Sequence, residues 1–259
     1  MTDTASLVAQ AGALLREAQA AVAFTGAGVS TPSGIPDFRS PGSGLWENVD
    51  PMEVASLASF RYHPERFYAW VRPLAATMQR AKPNPAHRAL AALEMAGRLQ
   101  AVITQNIDEL HQRAGSVNVL ELHGSLRDAT CGQCHRVSPG PPMLAKFIED
   151  GTVPHCAACG GVLKPNVILM GEQLPEAVLR EARTASRRCD VMLIAGSSLE
   201  VMPSAGLPME AVTRGAKLII VNHEPTYLDE RADVLIHADV AEALPQMATA
   251  AGCTESLYV

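Results

Sequence analysis

Short apolar runs recur along this chain at residues 20–25, 99–104, 119–122, 166–169, 190–195, 217–221 and 233–237, and each ends in small or polar residues. Runs of this length are those of strands buried on both faces. Between many of them lie helix-like stretches, at 85–97, 175–187 and 204–214. A further stretch, 4–19, puts Leu7, Ala11, Leu14, Leu15 and Ala18 on one helical stripe. Buried strands alternating with helices predict an α/β fold: an open, Rossmann-like parallel sheet with helices on both faces. Ligands of such sheets bind at the carboxyl ends of the strands. The polar motifs of this chain fall at those ends.

Two segments interrupt the alternation. Residues 40–83 concentrate aromatics (Trp46, Phe60, Tyr62, Phe67, Tyr68 and Trp70) and read as a loop with short helices inserted after the first strand, a candidate lid. Residues 129–163 carry Cys131, Cys134, Cys156 and Cys159 and the breaker run Pro139-Gly140-Pro141-Pro142. The expected organisation is a Rossmann-like domain over 1–128 and 164–259, with a metal-binding module over 129–163. A chain of 259 residues can bury one core with such a satellite.

The cysteines read C-x2-C, twenty-one residues, then C-x2-C. Two such pairs can wrap one tetrahedral zinc with four thiolates, leaving no position open for a catalytic water. His135 and His155 stand beside ligand cysteines as substitutes, but four thiolates need none. Paired spacing without a secretory leader argues for metal in a reducing compartment, so a cytoplasmic location is expected. The net charge of −6 offers no basic field for nucleic acid or an anionic membrane, and no run has the length of a membrane span.

The remaining motifs suit a nucleotide. Gly26-Ala27-Gly28 after the first strand is a turn through which backbone can approach a pyrophosphate, with a helix N-terminus expected behind it. Gly34-Ile35-Pro36 is a stiff bend presenting Asp37, Phe38 and Arg39, an aromatic face beside a phosphate-reading fork. Gln105, Asn106, Ile107 and Asp108 follow the second strand, where polar side chains can hold a carboxamide and position a water, or where Asn106 or Asp108 caps a helix. Gly196-Ser197-Ser198 offers hydroxyls and N–H groups to phosphates, and Asn222 ends another strand with an amide suited to ribose hydroxyls. The acid that a dehydrogenase places about twenty residues beyond its glycines is missing. His123 sits at a strand end before Gly124, and a side chain with pKa near 6.5 can take and return a proton at neutral pH.

These motifs, with the cysteine tetrad, resemble the sirtuin family of NAD-dependent protein-lysine deacylases, in a bacterial-type single catalytic core. The resemblance implies NAD as a consumed cosubstrate and one structural zinc. It assigns Ala27, Phe38 and Arg39 to NAD, extends the set to Thr31, Pro36 and Val240, and puts Gln105, Asn106 and Asp108 in the nicotinamide pocket. It makes His123 the general base, with Asn106 beside it in catalysis. In that family's reaction the carbonyl oxygen of an acyl-lysine attacks the ribose carbon as nicotinamide leaves, the 2′-oxygen then attacks the imidate carbon, and water completes the release of free lysine and 2′-O-acyl-ADP-ribose. Lys164–Glu172 would pair with the substrate peptide as an added strand, its apolar side chains walling the lysine tunnel. Val167, Ile168, Met170, Gly171, Glu172 and Phe38 are then the substrate contacts. Met170 stands where many sirtuins have Phe. The Tyr-x-x-Arg pair of desuccinylating members is absent, since Tyr68 and Arg72 are four apart, which favours an acetyl or other uncharged acyl group.

Other readings keep the same pocket: transfer of ADP-ribose to a protein, or a non-enzymatic NAD sensor with a zinc-ribbon surface. The expected partners are NAD and an acyl-lysine protein or peptide, with neither membrane nor direct nucleic-acid contact.

Overall fold

A computed structural model of the chain describes residues 4–42 and 44–254; the first three residues, at which a leader was sought in the sequence, lie outside them. The strands are β1 Ala21–Thr25, β2 Ala101–Thr104, β3 Val119–Glu121, β4 Gly124–Cys131, β5 Val137–Pro139, β6 Leu163–Val167, β7 Val191–Ala195, β8 Lys217–Val221 and β9 Val234–Ile236. The α-helices are α1 Thr4–Glu17, α2 Pro51–Val54, α3 Leu57–Tyr62, α4 Pro64–Arg80 and α5 Pro85–Met95, then α6 Leu110–Ala114, α7 Gly140–Asp150, α8 Glu176–Arg188, α9 Leu207–Thr213 and α10 Val240–Ala250. They form two compact units.

The first unit holds residues up to Gly34, Lys82–Leu122 and the chain from Glu176 onward. Its sheet has the order β3-β2-β1-β7-β8-β9, with every pair parallel. Every residue of β1, β2 and β7 is buried, because both faces are covered. Val191, Leu193 and Ala195 of β7 join Leu15, Leu90, Leu244 and Met247 from α1, α5 and α10 in one core. Met192 and Ile194, pointing the other way, are equally buried. The chain runs outward from β1 through β2 to β3, then returns to start again at β7 beside β1. The order therefore reverses between β1 and β7, and a crevice for a dinucleotide opens at the carboxyl ends of strands at such a switch point.

The second unit holds Ile35–Ala81 and His123–Pro175. It is wider than the 129–163 module expected from the cysteines. The reason is pairing and aromatic packing. β4 lies antiparallel between β5 and β6, and α4 packs on α7 through Tyr68 and Phe147, whose rings are 4.9 Å apart. The Tyr68 hydroxyl donates to Leu163 O at 2.6 Å, and the Arg72 guanidinium donates to Ile148 O and Glu149 O at the end of α7. The aromatic insertion of 40–83 is thus built around a long helix, α4, rather than short ones only. The run at 166–169 differs from its expectation too: the strand is Leu163–Val167 and belongs to this antiparallel sheet, not to the parallel one.

Candidate active site and metal centre

At the switch point the loops after β1 and β7 touch backbone to backbone. Gly26 N–H donates to Ala195 O and Gly28 N–H to Gly196 O, at 3.3 and 2.9 Å. A Cβ on Gly28 would lie 2.9 Å from Gly196 Cα, and one on Gly196 would lie 2.3 Å from Val29 N. Gly196 also has φ +60, a left-handed conformation that favours glycine. The G-x-G of the sequence is therefore a packing requirement of two loops, and it leaves Ala27 N–H without a partner among the described residues. Two single-turn 3-10 helices, Ala27–Val29 and Thr31–Ser33, follow the turn in place of the expected α-helix. Thr31 is spent locally, its hydroxyl donating to Gly28 O at 3.0 Å.

A buried polar network fixes the loop after β2. Asn84 caps α5 by accepting from Ala86 N–H, and its amide donates to Val29 O and Ser33 Oγ. His87 Nδ1 accepts from Asn84 N–H, so Nε2 carries the proton and donates to Ser30 Oγ at 3.4 Å. Ser30 in turn donates to Asp108 Oδ2 at 2.6 Å. Asn106 Nδ2 spends both hydrogens on Gly26 O and Ser30 Oγ, at 3.0 and 3.1 Å, so Oδ1 is the acceptor end that remains. From the other side His111 Nε2 donates to Thr25 Oγ1, Thr25 donates to Thr104 Oγ1, and Asn106 N–H also donates to Thr104 Oγ1. Burial lowers the His87 pKa to about 4 and holds that of His111 well below the ordinary value, so both rings are neutral. Burial raises the Asp108 carboxyl, against the Ser30 hydrogen bond.

The other sequence candidates fall as follows. Gln105 bridges Ser204 and Ser197, donating to the first and accepting from the second. Ile107 is half-buried in the same loop, and Ser198 is half-buried beside Ser197. Asn222 is buried, with Nδ2 donating to Glu224 O at 2.6 Å. Val240 lies in the core at the start of α10. Leu199 and Glu109, just past the two loops, hold positive φ at 57 and 60, a backbone strain that collects near functional loops.

The second unit carries the rest. Asp37 Oδ1 accepts from Arg39 and Ser40 N–H, making a local turn after Pro36. Phe38 stacks on Trp46 at 5.1 Å, and Trp46 on Trp70 at 5.0 Å. His123 stands immediately before β4, and its carbonyl accepts from Ile168 N–H at 2.8 Å. Gly124, at φ +75, explains the His-Gly pair: a Cβ there would meet Asn166 O at 2.0 Å. Val167 closes β6, and Met170 exchanges backbone hydrogen bonds with Ala55 and Leu57.

Cys131, Cys134, Cys156 and Cys159 bring four sulfurs within 4.8 Å of one another. Cys131 and Cys159 Sγ are 3.4 Å apart, and Cys134 and Cys156 Sγ 3.8 Å. A tetrahedral zinc at about 2.3 Å from each sulfur sets its ligands roughly 3.8 Å apart, so the donor set fits. Backbone N–H groups of Cys134 and Gln133 lower the Cys131 thiol to about 6, while, against the Gly161 N–H, the Cys134 and Cys131 sulfurs push Cys159 up to about 12, so the metal-free thiols share their protons as one cluster. His155 Nδ1 donates to Gly160 O at 2.8 Å and stands outside the cluster. The core beneath is small, formed by Ala129, Leu163 and two of the cysteines, and a metal there adds folding energy.

Sequence reasoning missed His87 and Thr25. The one local signal was Asn84-Pro85 three residues before His87, a cap whose partner is the histidine itself.

A Rossmann-like sheet with polar loops at its switch point, and a four-thiolate cluster in a separate unit, define a nucleotide-binding α/β protein with a zinc ribbon. The Sir2 family pattern matches residues 26–203, and the chain belongs to that family, the sirtuins. It is 46% identical over 244 residues, 93% of this chain and 94% of the relative, to NAD-dependent protein deacylase 2 of Archaeoglobus fulgidus. An NAD-dependent protein deacetylase of Thermotoga maritima is 44% identical over 229 residues, covering 88% of this chain and 92% of the relative. Among solved structures, Sir2Tm bound to a propionylated peptide superposes with a TM-score of 0.83 at 42% identity, covering 93% of this chain and 97% of that one. Another, from work on the mechanism and regulation of Sir2 enzymes, reaches 0.89 at 44% identity, covering 94% and 97%. Among the described residues no helix is long and apolar enough to cross a membrane.

Proposed function

We infer that the chain is an NAD-dependent protein-lysine deacylase. The observation that carries this is the 46% identity to a protein deacylase over nearly the full length of both chains. NAD is the consumed cosubstrate and supplies the ribose carbon that receives the acyl oxygen. Zinc, held by the four cysteines, is structural.

The roles of individual residues follow from their chemistry. The N–H groups of Ala27, Ser197 and Ser198, which have no partner among the described residues, bind phosphate, while Gly196, its N–H spent on Val221 O, lets the two loops approach. Asn222 takes ribose hydroxyls from a strand end. Asn106, its amide fixed by Gly26 and Ser30, offers Oδ1 to orient water or an amide hydrogen. Asp108 acts on this pocket through Ser30. His123 takes a proton from a ribose hydroxyl. Phe38, stacked on Trp46, and Arg39 and Pro36 on the same loop are taken as NAD contacts, as is Thr31 in the turn after β1. Ile168 and Met170 wall the acyl-lysine. The NAD-binding domain is the first unit, and the zinc-bearing peptide domain is the second.

An uncharged acyl group is favoured. Tyr68 and Arg72, the nearest pair to a carboxylate-binding set, are committed to Leu163 O and to the carbonyls ending α7. Product analysis by mass spectrometry tests the reaction: unmodified lysine peptide with O-acyl-ADP-ribose supports deacylation. A peptide carrying ADP-ribose, with its acyl group retained, would replace that reading with ADP-ribosyl transfer.

A further inference from the structure

Residues 164–172 close on themselves through one ion pair. Lys164 Nζ donates to Val167 O at 2.8 Å and Pro165 O at 3.2 Å, and meets Glu172 Oε2 at 2.9 Å, so its three protons each have an acceptor. The same Oε2 accepts from Leu169 N–H at 2.7 Å, and Glu172 N–H returns to Leu169 O at 3.0 Å. The two side chains are only 19% and 18% exposed. They line a groove of ≈ 410 Å³ with Thr130, Asn166 and Ile168.

This ring does what strand pairing does not. β6 ends at Val167, yet Ile168, Leu169 and Met170 all have their N–H groups satisfied, by His123 O, Glu172 Oε2 and Ala55 O. Gly171, exposed and at φ +85, keeps an N–H with no partner among the described residues. The N–H groups from Ile168 to Met170 are therefore already spent, and a peptide cannot pair along them. A buried pair is a poor source of stability but a good source of registry, because removing one partner strands the other charge.

We propose that Lys164 and Glu172 are positioning residues for acyl-peptide binding, clamping 168–171 so that Ile168, Met170 and the open backbone of Gly171 are presented to the substrate. The proposal rests on the reading of 167–172 as the substrate segment. It reassigns Glu172, whose carboxylate serves Lys164 and Leu169 instead of the peptide.

The test is steady-state nicotinamide release by the full chain with an acetyl-lysine peptide, for wild type, Glu172→Gln, Lys164→Met and Lys164→Arg. The first two variants raise the peptide KM about tenfold and leave the NAD KM within about twofold, while Lys164→Arg, which keeps the charge and donors, stays within about threefold of wild type. Peptide KM unchanged within about twofold in both disruptive variants overturns the clamp. So does a parallel rise in both KM values, or equal damage from Lys164→Arg, either of which marks a merely structural pair. If both disruptive variants fail to fold, Lys164→Arg decides alone: an unfolded or equally impaired Lys164→Arg overturns the clamp, and a near-wild-type peptide KM upholds it. A wild type that releases no nicotinamide with any acyl peptide instead removes the substrate reading itself, which separates the two failures.

Discussion

Acid should destabilise the first unit through its two neutral histidines. His87 is fully buried and its pKa is lowered to about 4, whereas an unfolded histidine takes a proton near 6.5. A depressed histidine contributes stability that is whole above the unfolded pKa and is lost as pH falls from about 6.5 toward 4, because the unfolded chain then binds the extra proton. At pH 5 the loss from His87 alone is about 2 kcal/mol. His111, lowered well below its ordinary value, adds to it in the same direction. Asp108, with its carboxyl raised, works in the opposite sense and offsets part of the loss at the acid end. Urea unfolding followed by circular dichroism, at about pH 7.5 and about pH 5, should show wild type losing at least about 2 kcal/mol more than His87→Asn over that interval, since distant contributions cancel in the difference and His111, lowered in part by His87, adds to it. Equal losses within about 0.5 kcal/mol would mean that His87 titrates normally and that the network is not closed as described.

The remaining predictions concern the loops, the metal and the acyl group. Gly196→Ala adds a Cβ 2.3 Å from Val29 N at φ +60, a left-handed and overpacking change that should cost about 2–5 kcal/mol and weaken NAD binding; a melting temperature within about 2 °C of wild type would contradict it. Metal analysis should return about one zinc per chain, falling with Cys156→Ser, and chelation should lower the melting temperature; a metal-free chain of unchanged stability would dismiss the site. Acetyl-lysine peptide should be turned over at least about tenfold faster than succinyl-lysine peptide in competition; equal rates would mean that some other cation reads the carboxylate.

Legibility followed how local the cause of each feature is. β7 and β8 were readable almost to the residue because strands buried on both faces are continuous apolar runs. The cysteine tetrad was equally readable, since each C-x2-C is a local turn. β4 was not: Gly124–Leu126 are all half-buried and the adjacent Arg127 and Asp128 both exposed, so no alternation announces the strand, and its register against β6 shifts between Gly124 and Ala129. β6 was misplaced because the apolar run at 166–169 looks like the buried parallel strands, whereas the strand is Leu163–Val167 at the edge of the antiparallel sheet, where Pro165 is tolerated. Gly140-Pro141-Pro142 read as a breaker and instead opens α7, where a missing N–H costs nothing. His87 and Thr25 act on residues far away in sequence, so no periodicity or spacing announces them. Asn106 was legible as a polar residue at a strand end; the bonds to Gly26 O and Ser30 Oγ that fix its amide were not.

The most direct measurement is peptide-dependent nicotinamide release from NAD by wild type and by His123→Ala, with NAD binding measured in parallel. Release that requires an acetyl-lysine peptide, falling by at least about a hundredfold in the variant while NAD still binds, is the predicted result. Undiminished release by His123→Ala would contradict the assignment of the base. Absence of release in wild type with every acyl peptide tried would contradict deacylation itself.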